Sequence, residues 1–257
     1  MNREVQPEES CDVTELLQAA PQRLLSTGSK GLDEMLGGGI ALGSTVYICG
    51  SPGAGKTILA EQMAYACAAA GMNVLYLYVA GFSESIVNRV RNLQNFEFFD
   101  AGAFNVSVAY HDIFPVIRAA QSTDLLYSIT PVVQSQQASL LIIDSIRTVL
   151  ERLAEFERGQ KSLRQLTEFV SEQNLVAVLV GEYQQDDIVR QPQFAFADGI
   201  ILLIAPYESS DGKRHIRVLK MRGVNHSSEA QEVRVSSSGL QVAADDPQEA
   251  GSKIGII

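Results

Sequence analysis

The segment that most constrains this chain is Gly50-Ser51-Pro52-Gly53-Ala54-Gly55-Lys56-Thr57. An apolar run at residues 45–49 precedes it, and a small-residue stretch of helical character at residues 58–70 follows it. A phosphate-binding loop requires this order of strand, glycine loop and helix, because glycines let successive backbone N–H groups turn toward phosphate oxygens. In such a loop Lys56 reaches the outer phosphates, and the Thr57 hydroxyl binds Mg²⁺. A tight turn without a ligand would not need the complete pattern, so we predict a nucleotide site.

The composition argues against several broad classes of protein. The chain has 257 residues, 46% of them hydrophobic, which suffices for the core of one large domain. Its formal net charge of −10 disfavours nucleic acid as a partner. The widely spaced Cys11, Cys49 and Cys67 form neither a disulfide framework nor a zinc motif. Because the sequence shows neither a secretion signal nor an apolar run of ~18–20 residues, we expect no membrane association and a cytoplasmic protein.

Charge and proline content divide the chain into three predicted parts. Residues 1–22 are acidic and contain two prolines, so we predict a disordered arm that either docks a partner or is a solvated tail. Residues 23–243 form the predicted nucleotide-binding domain, and residues 244–257 form a predicted tail rich in acids and glycine.

Alternating apolar runs and amphipathic stretches predict the strands and helices of an α/β domain. The runs at residues 73–79, 139–143 and 175–180 are continuously apolar, which indicates strands buried on both faces, as in a parallel sheet. Helical spacing at residues 83–93 places Arg89 outward. Further predicted elements are a hydroxyl-capped short helix at residues 32–36, a strand near residues 104–109, and helices at residues 114–127 and 147–171.

The last third of the chain predicts antiparallel strands. Apolar runs at residues 198–204 and 214–220 flank the pair Asp211-Gly212, which is a strong hairpin signal. Short strands at residues 233–235 and 240–242 extend this part. The whole pattern predicts an α/β fold with a doubly wound, mixed β-sheet and a C-terminal antiparallel hairpin.

Two acidic residues follow predicted central strands. Asp144 ends the strand over residues 139–143 and, beside the phosphate loop, would hold Mg²⁺ through its water shell. Without that loop, a capping aspartate after a buried strand would be the simpler interpretation. Glu182 follows the strand over residues 175–180 and reaches the same edge, where ligands of open α/β sheets bind. We predict Thr57 and Asp144 as metal ligands, and Lys56, Asp144 and Glu182 as catalytic residues.

From Arg23 to Val242 the chain resembles the KaiC-like ATPases of the RecA superfamily, a group of P-loop NTPases. The resemblance implies a RecA-like fold, ATP and Mg²⁺ as ligands, and a homo-oligomer such as a hexameric ring with ATP at its interfaces. The motifs at the two ends of this region are the ones specific to the group. The carrying segments are Ser26-Thr27-Gly28, Gly31-Leu32-Asp33, Leu36-Gly37-Gly38-Gly39-Ile40, the glycine loop, Leu141-Ile142-Ile143-Asp144-Ser145, and Leu219-Lys220-Met221-Arg222-Gly223-Val224-Asn225-His226.

The resemblance also assigns roles to three basic residues near the C-terminal end of the domain. It implies that Lys220, Arg222 and His226 face the γ-phosphate or ribose of the ATP held by the next protomer. Cations at that position would stabilise the charge that develops on the transferred phosphate. The alternative is a basic strand end exposed on an acidic protein.

One position departs from the family pattern. Family ATPases end the second strand with one or two glutamates that orient the attacking water, whereas this chain has Ala80 and Gly81 there. Glu84 lies a few residues later and could instead favour a helix N-terminus. Because orienting the water supplies much of this catalysis, we expect ATP binding with slow hydrolysis.

Three functional hypotheses follow. The first is a nucleotide-dependent oligomeric switch in signalling or regulation, with weak ATPase activity and an unidentified signalling protein as partner. The second is a RecA-type DNA-binding recombination or repair ATPase, which the acids within residues 151–160 and 182–193 disfavour. The third is a non-hydrolysing protein in which ATP is structural and the arm or tail recruits a partner.

Overall fold

One mixed β-sheet organises the domain. The structure, a computed structural model, describes residues 23–79, 86–115, 125–152 and 156–243. Its strands are β1 (Leu24–Leu25), β2 (Ile40–Ala41), β3 (Thr45–Gly50), β4 (Val74–Tyr78), β5 (Val108–Asp112), β6 (Leu140–Asp144), β7 (Val176–Gly181), β8 (Gly199–Ile204), β9 (Arg214–Met221), β10 (Gln231–Ser236) and β11 (Gly239–Val242). Its helices are α1 (Lys30–Met35), α2 (Lys56–Ala69), α3 (Ile86–Leu93), α4 (Leu125–Gln136), α5 (Ile146–Arg152), α6 (Phe156–Glu172) and α7 (Gln185–Arg190), with a 3₁₀ turn at Pro192–Ala195.

The sheet has the strand order β11-β10-β9-β8-β3-β7-β6-β4-β5. Strands β8, β3, β7, β6, β4 and β5 are parallel to one another. Strands β9, β10 and β11 continue the sheet in antiparallel pairs. The predicted doubly wound, mixed sheet with an antiparallel C-terminal part is therefore confirmed.

The parallel strands are buried on both faces, as their continuous apolar runs predict. Every residue of β3, β4 and β7 is buried. One core cluster lies between the sheet and α2, and the other lies on the opposite face against α5 and α6. Consequently α2 is buried around most of its circumference, and the glycine loop that precedes it lies at the centre of the sheet.

The helical pattern of α3 wrongly predicts that Arg89 points outward. Arg89 is only 6% exposed, and its guanidinium donates to the Glu61 carboxylate on α2. The periodicity of an isolated helix shows a polar side chain and therefore predicts exposure. A buried partner on another element, which the periodicity does not reveal, reverses that prediction because a paired charge can be buried.

Several predicted boundaries also differ from the structure. The strand expected near residues 104–109 lies at β5. Of the helix expected at residues 114–127, residues 116–124 lie outside the described part, and α4, which leads into β6, continues to Gln136. The hairpin connection spans residues 205–213, longer than a two-residue turn. Ser29, the N-cap residue of α1, makes no side-chain capping bond; instead the hydroxyls of Ser26 and Thr27 donate to the Asp33 carboxylate.

Some predictions concern parts of the chain outside the described residues. These are the acidic arm at residues 1–22, the tail at residues 244–257, and the positions of Ala80, Gly81 and Glu84. They stay predictions, and so do the domain boundaries. Residues 147–171, expected as one helix, contain α5 and α6, and residues 153–155 between them are also outside the described part. Among the described residues, no helix combines the length and the apolarity needed to span a membrane.

Candidate nucleotide site

The glycine loop connects the C-terminal end of β3 to the first turn of α2. Gly50 has φ +144°, and a Cβ at this position would lie 2.2 Å from the backbone oxygen of Leu203 on β8. Gly55, the residue before α2, has φ +109°. Only glycine adopts these conformations without strain, and at Gly50 only glycine leaves room for the neighbouring strand. Gly53 has φ +77° with open space around it, which leaves its backbone accessible to a ligand.

Lys56 lies inside the loop and holds its closed shape. Its ammonium group donates to the Ser51 carbonyl over 2.9 Å, and the residue is 9% exposed. Burial lowers the pKa of Lys56, while the nearby carboxylates of Glu182 and Asp144 act to raise it. A buried cation among carboxylates is well placed to exchange the carbonyl for a phosphate oxygen, because an anion would compensate its loss of hydration.

Thr57 and Asp144 meet beside the loop, as their positions in the sequence predict. Thr57 Oγ1 donates to Asp144 Oδ2 over 3.0 Å, and Asp144 is the last residue of β6. A hydroxyl and one carboxylate suit Mg²⁺, which usually takes one or two protein oxygens together with phosphate oxygens and water. Within the described residues, no group of three or more His, Cys, Asp or Glu side chains lies close enough together to hold a metal ion.

The loop between β8 and β9 holds the outside of the glycine loop. The Tyr207 hydroxyl donates to the Pro52 carbonyl over 2.9 Å, and the Glu208 carboxylate accepts from the Ser51 hydroxyl. Arg214, the first residue of β9, donates from Nε to the Gly53 carbonyl over 3.4 Å. The sequence carries no local signal for these contacts, which depend on the pairing of β8 with β3.

Glu182 lies at the same edge of the sheet, directly after β7, and its side chain is exposed. Its backbone carbonyl accepts from Arg147 on α5. Its carboxylate is close enough to raise the pKa of Lys56. The catalytic role predicted for Glu182 stays a prediction.

Lys220, Arg222 and His226 do not lie at this edge. Arg222 donates its backbone N–H to the Asp198 carbonyl, and Asp198 in turn donates to the Thr45 carbonyl, so Arg222 is level with the start of β3. The six residues from Thr45 to Gly50 are separated by five steps, which span about 16 Å along a strand. The Arg222 guanidinium contacts Asp198 and the Ala195 carbonyl, each over 3.1 Å.

The other two basic residues are on the same side of the domain as Arg222. Lys220 pairs with Ile200 in the sheet, and its ammonium group is 3.4 Å from the carbonyls of Phe194 and Ala195. His226 Nδ1 is 3.4 Å from the Val224 carbonyl. The structure therefore brings Lys220 and Arg222 together at the Ala195 carbonyl and separates them from the glycine loop of their own chain.

A glycine loop of this kind, at the carboxyl edge of a parallel sheet and beside a threonine–aspartate pair, defines the class of P-loop nucleotide-binding proteins. Within this class, the chain matches one known family. The family model described as "ATPase: KaiC" matches residues 25–247, so the chain belongs to the KaiC ATPase family. The RecA-like fold and the binding of nucleotide follow from this membership.

Individual relatives agree with the family assignment. The circadian clock protein KaiC3 of Synechocystis is 25% identical over 235 residues, which cover 89% of this chain and 45% of that protein. The DNA repair protein RadA of Aquifex aeolicus is 28% identical over 173 residues, which cover 65% of this chain and 35% of that protein. The chain thus spans less than half the length of these relatives.

A solved structure is similar over nearly the whole domain. The crystal structure of a KaiC-like protein from the archaeon Pyrococcus horikoshii OT3 is 26% identical in sequence, with a TM-score of 0.74. The match covers 87% of this chain and all of that chain. The structural similarity therefore extends over the full length of that KaiC-like protein's chain.

Proposed function

We propose that this chain is an ATP-binding switch whose self-association depends on the bound nucleotide, and that it hydrolyses ATP slowly. Membership of the KaiC ATPase family supports nucleotide binding, typically with Mg²⁺. In this function a second copy of the chain completes the site, and the assembly serves signalling or regulation through a further protein partner.

The distance between the basic residues and the glycine loop carries this proposal. Lys220 and Arg222 lie toward the opposite edge of the sheet, so their side chains cannot reach phosphates held by their own loop. A neighbouring copy that presents this edge to the glycine loop brings them to its nucleotide. The Arg222 side chain is 56% exposed in its pair with Asp198, and an exposed pair of this kind contributes little, so it is easily exchanged for a phosphate contact.

Each residue of the site then has a defined task. Backbone N–H groups of the glycine loop and Lys56 hold the β- and γ-phosphates, and Thr57 with Asp144 holds the metal. When bound, Mg²⁺ neutralises phosphate charge. From the second copy, Lys220 and Arg222 act on the γ-phosphate, and His226 contributes a ring nitrogen near the ribose or phosphate.

Slow hydrolysis follows from the residues at the end of β4. Ala80 and Gly81, which follow β4 in the sequence, have no carboxylate to orient water, and Glu182 is one of the acids whose charge acts on Lys56. We expect turnover of the wild-type chain to be far below that of an ATPase with an oriented water, and to fall further in Lys56→Ala. Steady-state phosphate release tests this, and a rate typical of fast P-loop ATPases would contradict it.

The proposed switch is tested by mass measurement with ATP, with ADP and without nucleotide. Light scattering should show a larger assembly with ATP than with ADP, and Lys56→Ala should show one mass under all three conditions. An assembly that is the same in every condition would contradict the switch and favour a structural nucleotide.

The RadA relatives favour a second candidate, a DNA-binding ATPase. The residues after β7 argue against it, because Asp186 and Asp187 lie on α7 within the segment that would have to approach DNA. A mobility-shift assay with single-stranded DNA and ATP at low salt distinguishes the two. Tight, salt-sensitive binding would place the DNA-binding function first.

A further inference from the structure

A cluster of buried polar side chains lies directly behind Asp144. Glu61 on α2 and Arg89 on α3 are 3% and 6% exposed, and Tyr76 on β4 is fully buried. Arg89 donates to Glu61 Oε1, and the Tyr110 hydroxyl on β5 donates to Glu61 Oε2. Burying polar groups is unfavourable unless they are paired. In this cluster each oxygen of the Glu61 carboxylate has its own donor.

Tyr76 connects this cluster to the candidate metal site. Its hydroxyl donates to Asp144 Oδ2 over 2.9 Å, the same oxygen that accepts from Thr57 Oγ1. In the sheet, Tyr76 pairs with Ile142, two residues before Asp144, so both side chains lie on one face. The buried hydroxyl therefore restricts the orientation of the Asp144 carboxylate.

The Tyr76 ring is held from two directions. The Arg89 guanidinium lies 4.9 Å from the centre of this ring, in a cation–π contact. The Tyr110 ring stacks against it with a centroid distance of 5.1 Å. Glu61 binds both Arg89 and Tyr110, so this one carboxylate links the two groups that fix the ring.

We propose that Tyr76 is a positioning residue for the metal-binding carboxylate of Asp144, and that the Glu61–Arg89 pair keeps its ring in place. This inference rests on the proposed nucleotide function. A side chain that only filled the core would need the ring of Tyr76 but not its hydroxyl. A positioning residue needs the hydroxyl, because the hydrogen bond to Oδ2 fixes the orientation of the carboxylate that would hold the metal.

The test is an Mg²⁺ titration of ATP binding, followed by calorimetry, for the wild-type chain, Tyr76→Phe and Tyr110→Phe. Tyr110→Phe is the matched control, because it removes a hydroxyl from the same aromatic stack that contacts Glu61 rather than Asp144. We expect Tyr76→Phe to raise the Mg²⁺ concentration at half-saturation about tenfold, the usual effect of losing such a supporting hydrogen bond. We expect Tyr110→Phe to change it less than about twofold, since Asp144 keeps its donor.

Binding of ATP in EDTA supplies the readout that damage to the fold would change. Tyr76→Phe should bind metal-free ATP as the wild-type chain does. An unchanged Mg²⁺ midpoint in Tyr76→Phe, or an equal loss of affinity with and without metal, would overturn the positioning role while leaving the proposed function intact. Failure of the wild-type chain itself to bind ATP would contradict the proposed function and this inference with it.

A double-mutant cycle tests the role of the ion pair. Glu61→Gln releases Arg89 and should raise the Mg²⁺ midpoint through Tyr76. Combined with Tyr76→Phe, it should therefore add little further change. Fully additive effects would show that Glu61 does not act through Tyr76 and would overturn that part of the proposal.

Discussion

The fold strongly affects the ionisation of Glu61. Glu61 lies on α2 and is enclosed by α3 and β5. Burial raises its pKa to about 7. The charges and hydrogen bonds of Arg89 and Tyr110 act to lower this pKa, and the Asp144 carboxylate acts to raise it. A raised carboxyl pKa favours the folded state most when the group is protonated. Its contribution to stability is therefore complete below the unfolded-state pKa and is lost as the pH rises through about 7.

This shift predicts a pH-dependent difference between the wild-type chain and Glu61→Gln, whose amide does not titrate. From pH 5 to pH 8 the free energy of unfolding of the wild-type chain should fall, relative to the variant, by about 2–3 kcal/mol. Urea unfolding at the two pH values measures it. A relative increase with pH would mean that the ion pair with Arg89 dominates and that Glu61 is ionised throughout.

A second prediction compares two glycines of the phosphate loop. Gly50→Ala places a Cβ against the Leu203 carbonyl at a positive φ, whereas Gly53→Ala meets only open space at its own positive φ. We expect Gly50→Ala to lower the free energy of unfolding by about 3 kcal/mol or more, and Gly53→Ala by about 1 kcal/mol. Urea unfolding checks this, and equal effects would contradict the close approach of β8 to Gly50.

At the scale of elements, the β8–β9 hairpin contacts the glycine loop at one end and carries the basic residues at the other. Tyr207 and Arg214 hold the carbonyls of Pro52 and Gly53, and Lys220 lies near the far end of the same strand as Arg214. The β8–β9 hairpin therefore connects the shape of the phosphate loop to the basic residues that the proposed neighbour would meet.

Removing one of these contacts should weaken nucleotide binding without unfolding the domain. Tyr207→Phe deletes the hydroxyl that donates to Pro52 over 2.9 Å, from a residue that is 69% exposed. We expect the dissociation constant for ATP to rise about two- to fivefold, the effect of one hydrogen bond of modest net strength. Calorimetry measures it, with Ser210→Ala in the same loop as the control. Equal affinities for both variants and the wild-type chain would contradict the role of this contact.

The elements also show which features the sequence determines locally. The glycine loop, the buried strands and the hairpin are predictable because glycine spacing and continuous hydrophobicity constrain the backbone over a few residues. The contacts of Tyr207, the pairing of Glu61 with Arg89 and the hydrogen bond from Tyr76 to Asp144 join residues distant in the chain. Their partners are set by strand order, so periodicity alone predicts Arg89 as exposed.

At the scale of the whole molecule, the glycine loop and the basic residues of the proposed site lie at opposite ends of the central strands of one chain. The glycine loop lies at the carboxyl end of β3, and Arg222 is level with its start. If the proposed roles of these residues hold, a complete site forms only between copies of the chain. A repeated head-to-tail contact of this kind closes into a ring or extends as a filament.

Mixing two variants tests this arrangement most directly. Lys56→Ala keeps the basic residues but loses the phosphate loop's lysine, and the double variant Lys220→Ala/Arg222→Ala keeps the loop but loses the cations. Each variant alone should stay monomeric with ATP while the wild-type chain assembles. The mixture should form an ATP-dependent species of twice the mass of one chain, because one intact site forms per pair. A mixture that remains monomeric, under conditions in which the wild-type chain assembles with ATP, would contradict a nucleotide shared between copies.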